Sequence, residues 1–320
     1  MRRLLPGRVG QINADPKVRL VVHLGDIKNG SSRCDTSYFN QIRTIFDGFA
    51  DPLVYTPGDN EWTDCHRTNN GGYQPAGPAD SADLAPNGPI ANGAAAGAPG
   101  NAAPSRLDEI RRIFFPVRGY TLGQNRRQVE RQEDGVVENV RWDAAGAVFG
   151  VLNLPGSNND VVPWFGSAET PALKALQADE VASRTDADLR WLKEIFSEAR
   201  EEGAKGVVIA VQADLWDPAI TGDPTQYSAF TGFVQELARQ SLKFGGPVLL
   251  LNGDSHIYES DTPLANPAAT NNTIYGVTTA VPNLTRVTVD GSGNANDYLR
   301  LHVDPSTPGV FSWARQAYLP

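Results

Sequence analysis

The sequence holds only two cysteines among 320 residues, too few for a disulfide-built scaffold or a zinc site made of thiolates. It contains no apolar run near the ~18 residues that a membrane span requires. Basic residues do not prevail either. Lys and Arg number 28 against 37 Asp and Glu, a formal charge of −9, so bulk attraction to nucleic acid or to an anionic membrane is excluded. A Gly-rich phosphate loop of the nucleotide-binding type is missing, and no segment repeats. The opening Met-Arg-Arg-Leu-Leu-Pro-Gly-Arg starts basic but lacks the apolar stretch of a signal peptide. What is present argues for a folded core with long loops. Hydrophobic residues make up 40% and charged residues 20%, and 31 glycines with 23 prolines separate short elements.

Val18–Leu24 is a β-branched run ended by Gly25-Asp26 and reads as a buried strand, preceded by a helix that ends near Asp15. Tyr38, Phe39, Ile42, Ile45, Phe46 and Phe49 recur at helical spacing. Pro52–Thr56 is a second strand, again running into a Gly-Asp pair. Strand, helix and strand in this order predict a right-handed parallel crossover. Residues 67–104, rich in Gly, Pro, Ala and Asn, read as a long surface insertion. A short helix follows over Leu107–Phe115, then two or three strands between Gln128 and Leu154. A long helix spans 168–202 with Leu189, Leu192, Ile195 and Phe196 on one stripe and Gly203 at its end. Strands Val207–Val211 and Pro247–Leu251 flank a helix marked by Phe230, Phe233, Val234 and Leu237. Leu284–Val289 and Tyr298–Val303 alternate as edge hairpin strands do. The whole reads as one α/β domain over 1–320, a layered sandwich of mixed β-sheets flanked by helices.

Four strand ends share a chemistry. They are His23-Leu24-Gly25-Asp26, Pro57-Gly58-Asp59-Asn60-Glu61, Val211-Gln212-Ala213-Asp214 and Asn252-Gly253-Asp254-Ser255-His256. Ligands of α/β sheets gather at the carboxyl ends of strands. Converging carboxylates repel unless a cation sits among them, so several Asp with amide oxygens and one His form a candidate hard-metal site. Each piece also has a plainer reading: a Gly-Asp pair as a turn, Gln212 as a satisfied strand-end amide, His256 as a surface histidine.

In that order the blocks resemble those of the calcineurin-like metallophosphoesterases, two-metal enzymes built on an α/β sandwich. The family pattern runs Asp-x-His, Gly-Asp, Gly-Asn-His-Asp/Glu, a lone His, and Gly-His-x-His. Gly25-Asp26 is similar to the second block, whose Asp bridges the metals. Gly58-Asp59-Asn60-Glu61 matches the third, putting Asp59 at the metal-binding Asn and Asn60 at the catalytic His; a one-residue slip makes Asn60 the ligand. Gln212 takes the place of the lone His. In the last block Asp254 replaces the first His, while His256 is retained. The surrounding phrases look like a bacterial branch, and the resemblance covers roughly 18–66 and 145–303.

The resemblance implies one metal held by Asp26, Asp59, Gln212 and Asp254. All are oxygen donors, favouring Mn²⁺, Mg²⁺ or Ca²⁺ over zinc. A second metal would use Asp26, His256 and the Asp-x-His block. Upstream of Asp26 the only acidic residue is Asp15, followed by Pro16-Lys17, so that block and its strand are expected to be missing and the chain to begin late. The implied activity is hydrolysis of small phosphate mono- or diesters, a phosphatase chemistry in which Asn60 hydrogen-bonds a phosphoryl oxygen but cannot protonate a leaving group. The alternative is a catalytically impaired relative that binds a ligand or metal.

Cys34 and Cys65 fall on loops at one edge of neighbouring strands, where a disulfide is expected, with two free thiols as the alternative. A disulfide implies an extracytoplasmic or secreted location; the cytoplasm is the alternative. His23 is expected in the core, and Arg126, Arg127 and Arg131 on an exposed face. Oligomeric state is left open by the sequence.

Overall fold

A computed structural model describes residues 5–70, 72, 103–133, 135–163, 169–291 and 296–319. Its centre is a seven-stranded mixed sheet, built from β3 (Glu130–Arg131), β4 (Val140–Ala144), β5 (Ala147–Val151), β6 (Gly206–Ala210), β7 (Val248–Asn252), β8 (Glu259–Asp261) and β9 (Leu284–Thr288). The order is β3-β4-β5-β6-β7-β9-β8. The middle four run parallel, while β3, β4 and β8 are antiparallel to their neighbours. Strands such as Val248-Leu249-Leu250-Leu251, apolar on both faces, fit only where both faces are covered.

One face is covered by α4 (Pro171–Glu201) and α5 (Thr231–Phe244). Leu192, Ile195, Phe196, Val234 and Leu237 meet Val207, Ile209 and Leu250 there, all fully buried. Each such side chain contributes roughly 1.5–3 kcal/mol by leaving water. Gly203 follows α4 at φ +66°, as the helix-ending glycine was expected to do.

The other face carries two short sheets. In one, β1 (Val21–Leu24) pairs parallel with β2 (Leu53–Thr56) across α2 (Thr36–Phe46). In the other, β10 (Asp297–Val303) and β11 (Phe311–Ala317) form an antiparallel hairpin. Val22, Leu24, Leu299, Leu301 and Trp313 pack on Val208, Leu249 and Leu251 of the large sheet. Outside this second sheet layer lie α1 (Leu5–Asn13), α2 and α3 (Ala103–Phe114), joined through Val9, Ile12, Phe39, Ile42, Phe46 and Phe114. Asp35 caps α2, its carboxylate accepting from the Ser37 and Tyr38 amides.

The structure bears out an α/β fold with a central mixed sheet flanked by helices, and corrects three details. Leu284–Thr288 is an interior strand between β7 and β8, not an edge strand; its alternation arises because Arg286, 1% exposed, is buried in ion pairs with Asp214, Glu259 and Asp261. The first strand begins at Val21 rather than Val18. The helix expected from Leu107 begins at Ala103. Most of the expected insertion over 67–104 falls on 71 and 73–102, which lie outside the described residues. No helix among the described residues is long and apolar enough to cross a membrane.

Candidate metal centre

The Gly-Asp turns after β1 and β2 touch each other. A Cβ on Gly25 would lie 2.6 Å from the Gly58 nitrogen, and one on Gly58 would lie 2.5 Å from Asp26 Oδ1. Only glycine allows this approach, and Gly25 itself sits at φ +79°. Asp26 (φ 56°) and, after β7, Asp254 (φ 69°) and His256 (φ 62°) also adopt left-handed backbone. That conformation costs energy in a non-glycine residue. Here it turns side chains from two strand ends, those of β1 and β7, toward one point.

The carboxylates of Asp26, Asp59 and Asp254 all converge, each offering an oxygen within 4.8 Å of the others. Burial, then the neighbouring Asp254 and Asp26, raises the Asp59 carboxyl well above its ordinary range. Asp254 is pushed up to about 8, by burial first and Asp26 second. Asp26 Oδ1 is buried without a hydrogen-bond partner. An orphaned oxygen within a repelling carboxylate set is what a missing cation leaves.

Gln212 reaches the same point. Its Nε2 donates to Asp26 Oδ2 and Asp59 Oδ1, each at 3.3 Å, while Oε1 accepts from the Gly156 amide at 2.6 Å. In this orientation Gln212 bridges the carboxylates as a donor and directs its oxygen to the backbone. His256 Nε2 lies 3.2 Å from Asp26 Oδ2, and that hydrogen bond raises the imidazole pKa. The Asn60 amide oxygen is directed at the loop after β1, where it covers Gly30 and a Cβ would come within 2.9 Å of it. The geometry groups Asp59 with Asp26 and Asp254.

Several residues that the block pattern did not single out complete the centre. Gly156 opens a turn whose Ser157, Asn158 and Asn159 have φ of 52°, 51° and 57°. The Ser157 hydroxyl lies 3.0 Å from Asp59 Oδ2 and 2.8 Å from Asp64 Oδ1. Asp64 also pairs with Arg67 at 2.6 Å. Lys28 is 1% exposed; burial lowers its pKa against the opposing pull of Glu61, Asp64, Asp26 and Asp59. Its positive charge thus offsets part of the acidic cluster. The signal for this turn was the run Gly156-Ser157-Asn158-Asn159, since asparagine tolerates left-handed backbone.

The surroundings hold the turns still. Glu61 Oε1 accepts from the Gly58 amide at 2.6 Å and the Tyr55 hydroxyl at 2.8 Å, and burial, then Asp26, lifts its carboxyl to about 8. Cys34 and Cys65 form a disulfide with Cα atoms 5.7 Å apart, joining the loop after β1 to the loop after β2. Asp214 ties Ser255 (2.7 Å) to Arg286 (2.9 Å) beneath Asp254. His23, expected in the core, is half-buried, its ring 4.9 Å from that of Phe46, and desolvation lowers its pKa to about 4. No family model matches this chain, and no curated protein matches it.

Proposed function

We propose that the chain is a calcineurin-like metallophosphoesterase that hydrolyses small phosphate mono- or diesters with a hard divalent cation held by Asp26, Asp59 and Asp254. The observation that carries the reading is the convergence of three carboxylates around a buried, unpartnered Asp26 oxygen. The donor set is all oxygen, which suits Mn²⁺, Mg²⁺ or Ca²⁺ better than zinc. When bound, such a cation supplies Lewis-acid charge to a phosphoryl oxygen and acidifies water.

The chain's own residues do the rest. Gln212 steadies Asp26 and Asp59 through its two N–H bonds. Ser157 fixes the outer oxygen of Asp59. Asn60 offers an amide to a phosphoryl oxygen but has no acidic proton. His256, part-exposed, holds Asp26 Oδ2 through its Nε2. Esters with good leaving groups are the expected substrates.

The test is hydrolysis of a chromogenic aryl phosphodiester and monoester with Mn²⁺, in wild type and Asp26→Ala. The expected result is turnover lost in the variant with retained fold; equal rates would refute the proposal. A second reading, a binder without turnover, is favoured by one observation. Among the described residues no second group of three metal-ligating side chains includes Asp26 or His256. Turnover separates the readings: one equivalent of Mn²⁺ retained after dialysis with no hydrolysis of either ester supports the binder.

A further inference from the structure

One stripe of α4 changes character along its length. Leu192, Ile195 and Ala199 pack into the apolar core, while the same stripe nearer the start of the helix carries Gln177, Glu180, Arg184 and Asp188. Gln177, Arg184 and Asp188 are buried as well. Buried polar side chains are tolerated when their hydrogen bonds are made. Those of Gln177 and Arg184 converge on one place, the left-handed turn that follows β5.

That turn needs holding. Ser157, Asn158, Asn159 and Asp160 are consecutive non-glycine residues at φ of 52°, 51°, 57° and 68°. Each raises the free energy of the turn, and such a conformation persists only where its surroundings over-determine it. Asn158 is tied to the segment before α5. Its Nδ2 donates to the Thr225 carbonyl at 2.7 Å, and its Oδ1 accepts from the Ala229 amide at 2.9 Å. α4 holds the rest. Thr185 Oγ1 accepts from Asn159 Nδ2 at 3.0 Å. Gln177 Nε2 donates to the carbonyls of Asp160 at 2.6 Å and Val162 at 2.9 Å.

Arg184 is the centre of this clamp. Its side chain is 2% exposed, and its five N–H donors have five acceptors. Nε and Nη2 donate to the two Glu180 oxygens at 2.8 and 3.1 Å. Nη2 also donates to the Asn159 carbonyl at 3.1 Å. Nη1 donates to Asn159 Oδ1 and, at 3.2 Å, to the Asn153 carbonyl just after β5. The guanidinium lies 5.2 Å from the ring centre of Trp62, which is fully buried and follows Glu61. One side chain therefore touches the end of β5, the left-handed turn and the turn that carries Asp59.

We propose that Arg184 is a positioning residue of the metal centre. It fixes the left-handed turn, and the turn fixes Asp59 through the Ser157 hydroxyl and Gln212 through the Gly156 amide. The assignment rests on the reading of the carboxylate set as a metal centre. The guanidinium shape is what the role requires. A lysine keeps the charge but offers three donors on one nitrogen in place of a planar fork, so it cannot join Asn153, Asn159 and Glu180 at once.

The test compares Arg184→Lys, the milder Thr185→Val, and Leu237→Ala, a cavity variant in the apolar core that leaves the turn's own contacts in place. In EDTA, hydrogen exchange of the Gly156 amide, whose acceptor is Gln212 Oε1, is read against the amides of β7. It should quicken about tenfold in Arg184→Lys and about threefold in Thr185→Val, and keep step with β7 in Leu237→Ala. Calorimetric Mn²⁺ affinity at fixed pH should fall by similar factors in the first two variants and stay at the wild-type value in the third. Should Arg184→Lys fail to fold, the threefold effects in Thr185→Val decide. Unchanged Gly156 exchange overturns the proposal, and so does quickened exchange with wild-type Mn²⁺ affinity. An equal loss of affinity in Leu237→Ala also overturns it, because the effect would then be one of general stability. Failure of the metal reading looks different. A wild type that takes up no Mn²⁺, with Gly156 exchange quickened in the variants, overturns that reading and keeps Arg184 as the residue that positions the turn against Gln212.

Discussion

Replacing Asp254 by Asn should strengthen the metal-free protein and weaken the metal-loaded one. In the folded state the Asp254 carboxyl is lifted from 3.8 to about 8, so it keeps its proton where the unfolded chain has released it. A raised carboxyl contributes fully below pH ~3.8, and its contribution is lost as pH rises toward ~8. At pH ~6 the difference is about two pH units, or ~3 kcal/mol at ~1.36 kcal/mol per unit. Asn is neutral without taking up a proton, so Asp254→Asn should gain ~3 kcal/mol at pH ~6 and almost nothing at pH ~4.

Saturating Mn²⁺ should invert the sign. Wild type gains ~4.1 kcal/mol at a thousandfold excess over Kd, more than the ~3 kcal/mol it lacks in EDTA, and a variant missing one of three carboxylates gains far less. The assay is urea unfolding followed by tryptophan fluorescence, at pH ~4, ~6 and ~7.5, in EDTA and in Mn²⁺. An Asp254→Asn protein less stable than wild type in EDTA at pH ~6 would refute the repulsion argument. So would a stability difference that stays constant across the pH range.

Gly156→Ala places a Cβ 2.6 Å from Asp254 Oδ2 and 2.7 Å from Asp59 Oδ2. It should cost roughly 1–3 kcal/mol and weaken Mn²⁺ binding, as calorimetry would measure. Cys34→Ser with Cys65→Ser opens a link between residues 31 apart and should lower stability by roughly 3–4 kcal/mol. Unfolding midpoints with and without reductant should then differ in wild type and coincide in the double variant. Arg286→Leu strands the Asp214 carboxylate, both partners being 1% exposed, and should cost about 3–5 kcal/mol. Adding Asp214→Asn should restore part of that loss if the ion pair, rather than packing, is responsible.

The apolar runs made most of the fold legible, because a strand covered on both faces needs uninterrupted β-branched and leucine residues. Val207–Ala210 and Val248–Leu251 are of that kind, and the sheet places them side by side. The misread strand failed through charge. Leu284–Thr288 carries Arg286, and an arginine within a strand reads as a solvent-facing position. Its guanidinium is instead buried beneath the site, paired with Asp214, Glu259 and Asp261. That arrangement joins groups up to 72 residues apart, and no local spacing encodes it. The hairpin partner Phe311–Ala317 was missed for a related reason. Its burial alternates only between half-buried and exposed, so the period is present while the hydrophobic contrast is weak.

The acidic centre was legible because each of its carboxylates follows a glycine at a strand end, a pattern that turns backbone and side chain together. Asp26, Asp59 and Asp254 are three such cases, and the fold brings them within 4.8 Å. What spacing could not give was the direction of an amide or hydroxyl. Gln212 stands at the expected strand end, yet its oxygen is drawn to the Gly156 amide, a group on a turn 56 residues earlier. Ser157 enters the centre only because that turn runs left-handed through three consecutive non-glycine residues. Both follow from one structural fact: the Gly156 turn is pressed so closely on Asp59 and Asp254 that no side chain fits between. The carboxylates therefore have protein on their outer side, and a proton or a cation relieves the repulsion that Gln212, His256 and Lys28 leave. Metal binding at this centre should accordingly release protons, and it should do so more strongly at pH ~6 than at pH ~8, where fewer protons remain to be displaced.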